Sequence, residues 1–293
     1  NMNEFIKYLE NEKHKAPNTI VAYGRDIRAF DRYLKSRDVD FLLECRENDA
    51  VAYVMELNKK KKSASTINRK ISSLRLYYDF YKERGEIETN PFDDIKTAKP
   101  ETRDIEFLTL DEMEKLLSLP DESSKGYRDR ALLEFMYGTG ARVTEVVRLR
   151  FSDINFKMNF VMCSDGTEDK RIIPMGKFCK KALIEYMDNA YNAIKGDVRL
   201  PDDYVFINFR GTQLTRQGIW KILKEYGEMM GIKDKMTPQV LRNSFAVHIL
   251  QNGGDLKTIQ ELMGFDDMSV GMTYLSVINV RVRDVYNRSH PRA

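Results

Sequence analysis

Cysteine is scarce in this chain. Its 293 residues hold three, Cys45, Cys163 and Cys179, far apart and without a Cys-x-x-Cys pair. An odd, scattered set argues against a disulfide framework or a zinc site and fits a reducing cytoplasm. Histidine is as sparse: His14, His248 and His290 are too dispersed for a metal cluster, so no metal is expected. No run of about 18 apolar residues occurs, so no helical membrane span is expected, and no secretory signal is visible at the N-terminus. An excess of one charge is nearly lacking, with a net charge of +3. Residues 1–100 hold 20 Lys and Arg against 17 Asp and Glu, and the remainder holds 28 against 28. A polyanionic partner would have to be met by local faces, not by a bulk basic field. Repeats and low-complexity segments are absent too. What remains is an ordinary globular composition, 42% hydrophobic and 32% charged, with length for one to three domains.

Helical periodicity dominates residues 1–98. Phe5, Tyr8 and Leu9 open an amphipathic helix, and Ala16-Pro17-Asn18-Thr19 interrupts it. Tyr23, Ile27, Phe30 and Leu34 recur at helical spacing in the next. A third helix is expected from about Asp49, and a fourth from near Ser65 to Arg84 with Ile67, Ile71, Leu74, Tyr78 and Tyr81 inward. The other face of that helix displays Asn68, Arg69, Lys70, Ser73 and Arg75, and Lys59-Lys60-Lys61-Lys62 precedes it. As a solvated loop the lysine run needs no function. As a phosphate clamp it would extend the basic face, which makes Lys60, Lys61, Lys62, Thr66, Asn68, Arg69, Lys70 and Arg75 the candidate nucleic-acid-binding set. Residues 95–107 are polar, contain Pro100 and lack periodicity, so a linker is expected over 99–107.

From residue 108 the pattern is mixed. Thr109 and Glu112 form a capping-box pair ahead of Met113, Leu116 and Leu117. The run from Arg128 to Tyr137 reads as a buried helix ending at Gly138, and another follows from Ala141 to Leu149. Phe160 to Met162 and Arg171 to Pro174 are candidate strands around a polar turn. A helix over 177–194, an extended piece at Tyr204–Asn208 and a helix over Thr215–Met230 come next.

The stretch Thr237 to Tyr274 reads as three short helices. Thr237-Pro238 is a helix start, because Thr caps well and Pro is tolerated at the first helical position. Leu241, Phe245, Ile249 and Leu250 make its apolar stripe, with Arg242 placed on the opposite side. Asn252-Gly253-Gly254 ends that helix, Asp255 caps the next, and Gly264 stops it. His248 reads as a structural hydrogen-bonding residue.

Several motifs then fall in one order. Thr139-Gly140-Ala141-Arg142-Val143-Thr144-Glu145 resembles the T-G-x-R-x-x-E motif of the tyrosine recombinases, the integrase and Xer type. DGTEDKRIIPMG resembles the hairpin of that family, TPQVLRNSFAVHIL its second arginine motif, and ELMGFDDMSVGMTY the segment ending in its nucleophilic tyrosine. NTIVAYGRDIRAF and STINRKISSLRLYYDFY resemble its core-binding domain.

The resemblance implies a mainly α fold. Residues 1–98 would be a SAM-like helical core-binding domain, and residues 108–293 a mixed α/β catalytic domain with a small antiparallel sheet. It implies that Arg142 and Arg242 grip a phosphodiester and that Tyr274 attacks it. The planar guanidinium fork suits two phosphate oxygens. Three family positions are substituted: Gly166 stands where the hairpin lysine acid is usual, and Gln239 and Phe265 stand at the two histidine positions. Gln239 can still donate to a phosphate oxygen, and Lys170 lies four residues from Gly166 as a substitute acid. Duplex DNA as partner, four protomers on two sites and no cofactor are implied as well, since a phosphotyrosyl bond conserves the energy of the one cut. The alternative is an inactive relative that occupies DNA without cutting it.

Overall fold

A computed structural model of the chain describes residues 2–15, 17–98, 104–166, 170–198, 203–265, 270–275 and 277. The chain divides into two compact units, Asn1–Arg103 and Asp104–Ala293.

The smaller unit is four helices: α1 (Met2–Asn11), α2 (Pro17–Lys35), α3 (Glu47–Lys59) and α4 (Ala64–Glu83). α3 starts two residues before the expected Asp49. That carboxylate accepts from the Arg46 backbone N–H at 3.1 Å, so Asp49 sits inside the first turn and not ahead of it. Ile67, Ile71, Leu74, Tyr78 and Tyr81 of α4 are all buried, as their spacing requires. They meet Phe5, Ile27, Phe30 and Phe92 in an aromatic core, with Phe5 and Tyr77 edge-to-face at 5.2 Å. Asp26 of α2, 2% exposed, accepts from Lys70 at 3.0 Å and from Arg69, which ties α2 to α4.

The larger unit opens with α5 (Leu110–Ser118), α6 (Ser124–Thr139) and α7 (Val143–Arg148). Thr109 Oγ1 accepts from Glu112 N at 3.2 Å while the Glu112 carboxylate accepts from Thr109 N at 2.8 Å, the expected capping box. β1 (Ile154–Asn155), β2 (Phe160–Ser164) and β3 (Lys170–Pro174) form an antiparallel sheet in that order, with Phe160 opposite Pro174 and Ser164 opposite Lys170. The helix expected over 177–194 is α8 (Lys177–Tyr186), a π-helical turn (Met187–Tyr191) and α9 (Asn192–Lys195). The wider turn rotates the residues beyond it relative to a 3.6-residue period, which a single apolar stripe cannot convey. α10 (Arg216–Met229), α11 (Pro238–Gln251) and α12 (Leu256–Met263) follow, and residues 270–275 are helical.

The core of this unit surrounds α6, with Leu132, Leu133, Phe135 and Met136 fully enclosed. It carries one buried polar knot: Arg128 pairs with Asp129 at 2.7 Å, and the Tyr226 hydroxyl donates to Asp129 at 3.0 Å. Part of the expected linker belongs to this unit. Ile105 and Phe107 pack on the cluster around Phe245 and Tyr274, and Leu108 N donates to Ser244 Oγ at 2.8 Å. Two apolar residues at alternate positions are enough to dock an otherwise polar segment. Residues 99–103 lie outside the described residues, as does the tail from 278 onward.

Candidate active site

Helix ends build the site. α6 stops at Gly140, in the left-handed conformation at φ 59°, and a Cβ there would press into the Phe245 ring. α12 stops at Gly264, also left-handed at φ 60°. Both ends leave carbonyls without an intrahelical partner. Arginines take them up. Arg242 donates to the Gly140 carbonyl and, at 2.6 Å, to the Met263 carbonyl. Arg142 donates to the Gly264 carbonyl, and Arg171 to that of Leu262. The negative end of each helix dipole favours the cation placed there.

One carboxylate links two of these groups. Glu145, 3% exposed, accepts from Arg171 at 3.0 and 2.5 Å, from the Arg142 backbone N–H at 2.5 Å and from the Arg142 guanidinium at 3.3 Å. Two guanidinium groups thus share one carboxylate, and Arg242 lies close enough to feel all three charges. Burial first, then Arg142 and Arg171, pull Arg242 down to about 10, which leaves it charged at neutral pH. The sequence placed Arg242 on the side of its helix opposite Leu241 and Phe245. In the structure α11 is enclosed along nearly its whole length, and Arg242 is 8% exposed. Its polar surroundings are the two helix ends, which no local pattern reveals.

Tyr274 is 4% exposed and packs against the cluster of Phe245, Ala246, Ile259 and Met263. Its hydroxyl donates to Asn243 Oδ1 at 3.1 Å. Burial pushes the phenol above its ordinary value, and the charge of Arg242 opposes that rise. Gln239 reaches the same Asn243 oxygen with Nε2 at 2.8 Å. Phe265 packs on this cluster, as a ring without a donor can. Arg142, Arg242, Arg171 and Glu145 are therefore joined through helix ends, and Tyr274 and Gln239 are joined through Asn243.

Lys170 is not brought in. It is exposed at the start of β3, and no hydrogen bond among the described residues ties it to the arginines or to Tyr274. Gly166, at φ 101°, lies against the Arg148 guanidinium. His248 holds Tyr137 through Nδ1 at 2.9 Å, and burial lowers its proton affinity. Arg171, Glu145 and Asn243 were not singled out from the sequence. The three-residue step from Arg142 to Glu145 was a signal for one of them, but burial of that pair was not visible.

The candidate DNA-binding residues all lie in the smaller unit, and most serve it internally. Arg69 and Lys70 hold Asp26. Arg75 donates to the Phe92 carbonyl at 3.1 Å and the Ile95 carbonyl at 2.7 Å, and Asn68 to that of Ala98 at 2.7 Å. Thr66 shares a hydrogen bond with Ser63 at 2.9 Å, and Lys60 pairs with Glu56. Lys61 and Lys62 are exposed, without an ion pair among the described residues.

Residues 106–279 match the phage integrase family, and residues 2–85 match the phage integrase N-terminal SAM-like domain. The chain is 39% identical over 294 residues to tyrosine recombinase XerD of Listeria innocua, covering 100% of this chain and 99% of that one. It is 37% identical to a putative tyrosine recombinase of Caldanaerobacter subterraneus, over 99% and 98%. Among solved structures it resembles XerH site-specific recombinase bound to palindromic difH substrate, with TM-score 0.76 and 18% identity over 97% of this chain and 84% of that one. The Tn1549 transposon integrase in complex with circular intermediate DNA gives TM-score 0.75 and 21% identity over 93% and 94%. The chain belongs to the phage integrase family, the tyrosine recombinases. No helix among the described residues is long and apolar enough to cross a membrane.

Proposed function

We propose that the protein is a site-specific DNA recombinase that cuts and rejoins duplex DNA through Tyr274. The observation that carries this reading is the pairing of Arg142 and Arg171 with the single carboxylate of Glu145, with Arg242 close enough to feel their charges and Tyr274 close enough to feel that of Arg242. Such an excess of positive charge suits the extra negative charge of a pentacoordinate phosphorus. Arg142 and Arg242 bind the phosphate oxygens, and Gln239 supplies a further amide donor. The Tyr274 oxygen bonds to phosphorus as the bond to the 5′-oxygen breaks. The phenolic proton leaves to water, and the 5′-oxygen takes a proton from water, directly or through Lys170. A 5′-hydroxyl from another strand later reverses the attack. Lys61 and Lys62, exposed and without an ion pair among the described residues, lead the DNA-facing side of the smaller unit, which Lys60, Thr66, Asn68, Arg69, Lys70 and Arg75 brace through their internal bonds; four protomers act together on two sites, and the setting is the cytoplasm.

A second reading is favoured by Gly166 and Phe265. Loss of a positioned acid slows a reaction by roughly 10²–10⁴, and loss of one electrostatic donor by roughly 10²–10³. A chain lacking both could hold DNA without cutting it. The test is a nicked suicide duplex carrying a sequence that the protein selects from a random pool. A covalent adduct on a denaturing gel, absent in Tyr274→Phe, supports the enzyme. Tight binding without any adduct supports the second reading.

A further inference from the structure

Asn243 follows Arg242 on α11 and uses both ends of its amide. Nδ2 donates to the Glu106 carbonyl at 2.8 Å, while Oδ1 accepts from the Tyr274 hydroxyl at 3.1 Å and from Gln239 Nε2 at 2.8 Å. The orientation of this amide is not arbitrary. A backbone carbonyl only accepts, so Nδ2 must face Glu106 and the oxygen must face Tyr274. The side chain is 8% exposed, which fixes its rotamer by packing as well as by hydrogen bonds. It joins three pieces of backbone: the segment ending at Leu108, α11, and the helical turn over 270–275.

We infer that Asn243 is the positioning residue for the nucleophile, resting on the reading of Tyr274 given above. The amide oxygen takes the hydrogen of the hydroxyl and leaves the phenolic lone pairs free for phosphorus. An amide oxygen is too weak a base to remove that proton, so the role is orientation and not proton transfer. Gln239 strengthens the arrangement from the exposed side, and Glu106 anchors it from beneath. A phenol at the end of a short helical segment has its own torsional freedom. Holding its oxygen in one place is worth rate, because a displacement of about 1 Å can cost roughly 10²-fold.

The experiment uses the full chain, the same nicked suicide duplex, and the variants Asn243→Ala and Asn243→Asp. Adduct rate is followed against pH, and affinity for the intact duplex is measured alongside. Asn243→Ala is expected to slow adduct formation by about 10²-fold while binding the duplex as the wild type does. Asn243→Asp keeps an oxygen facing Tyr274. It should retain more rate than Asn243→Ala at low pH and lose it as pH rises, because only the protonated carboxyl can both donate to the Glu106 carbonyl, as Nδ2 does, and accept from the hydroxyl. A purely structural role would produce no such fall. Should Asn243→Ala fail to fold, the Asn243→Asp profile decides alone. Adduct formation by Asn243→Ala at the wild-type rate overturns the proposal, as does an Asn243→Asp profile that is slow and parallel to wild type. Absence of adduct from the wild type overturns the reading of Tyr274 and the proposal with it.

Discussion

Replacing Glu145 by alanine tests whether one carboxylate holds the arginine cluster together. The Glu145 side chain is 2% exposed and that of Arg171 is 12% exposed, so their pair at 2.5 Å is nearly out of solvent. Glu145→Ala would leave Arg171 without its counter-charge and the Arg142 backbone N–H without its acceptor. Removing one partner of a buried pair destabilises by about 3–5 kcal/mol. In a unit of about 190 residues each kcal/mol moves the melting temperature by about 2–4 °C. The expected fall is therefore roughly 6–20 °C. Glu145→Gln should fall less, since one amide oxygen can still accept from a guanidinium. The assay is thermal unfolding followed by far-UV circular dichroism, at low and high salt. A buried pair is weakly screened, so the loss should persist in salt. A Glu145→Ala chain that melts within about 2 °C of wild type would refute this account, because the arginines would then be held by the helix ends alone.

Other substitutions have equally definite outcomes. Lys61→Ala and Lys62→Ala should leave the melting temperature unchanged and lower the salt dependence of DNA binding, by about 0.9 in log–log slope for each phosphate no longer neutralised. Lys70→Ala should instead lower the melting temperature, because Asp26 loses a partner at 3.0 Å in a buried setting. Restoring a hairpin lysine by Gly166→Lys together with Phe265→His should not raise adduct yield, because residue 166 stands at φ 101°, a backbone that suits glycine and strains a lysine. The exposed Arg148 guanidinium that a Cβ there would meet is the end of a flexible side chain and can move aside. His248 bears on pH. Burial lowers its proton affinity in the folded chain, so its contribution is intact above the unfolded value of about 6.5. As pH falls below that, the unfolded chain takes up a proton that the folded one refuses, and stability drops. Urea midpoints at pH 7 and pH 5 should differ less in His248→Gln than in wild type.

The sequence was most readable where a rule acts within a few residues. The Thr109–Glu112 capping box, the inward face of α4 and the two longer strands all lie where spacing puts them. Reading failed where the partner is distant. Arg242 could be placed only opposite the apolar stripe of its own helix, whereas the carbonyls that receive it belong to Gly140 and Met263. The basic face of α4 looked free because Asp26, which holds Arg69 and Lys70, is on another helix. Ile105 and Phe107 were read as linker because two apolar residues carry no period. Asn243 lies inside the second arginine motif, but its hydrogen bonds to Glu106 and Tyr274 appear only once the fold brings three segments together.

The carbonyls that grip the arginines have a consequence for how this site can drift. Every oxygen that receives Arg242, and those that Arg142 and Arg171 share with the end of α12, is a main-chain atom. The side chains of Leu262 and Phe265 can therefore change without removing an acceptor, whereas Gly264, left-handed and with Arg171 close to where a Cβ would stand, is held to glycine. Alanine at 262 or 265 would pass over the clamp almost blind. An amide-to-ester replacement that weakens the Met263 or Gly264 carbonyl as an acceptor would expose it. Heredity can thus rewrite the proton-handling groups of such a scaffold independently of the frame that holds its charge.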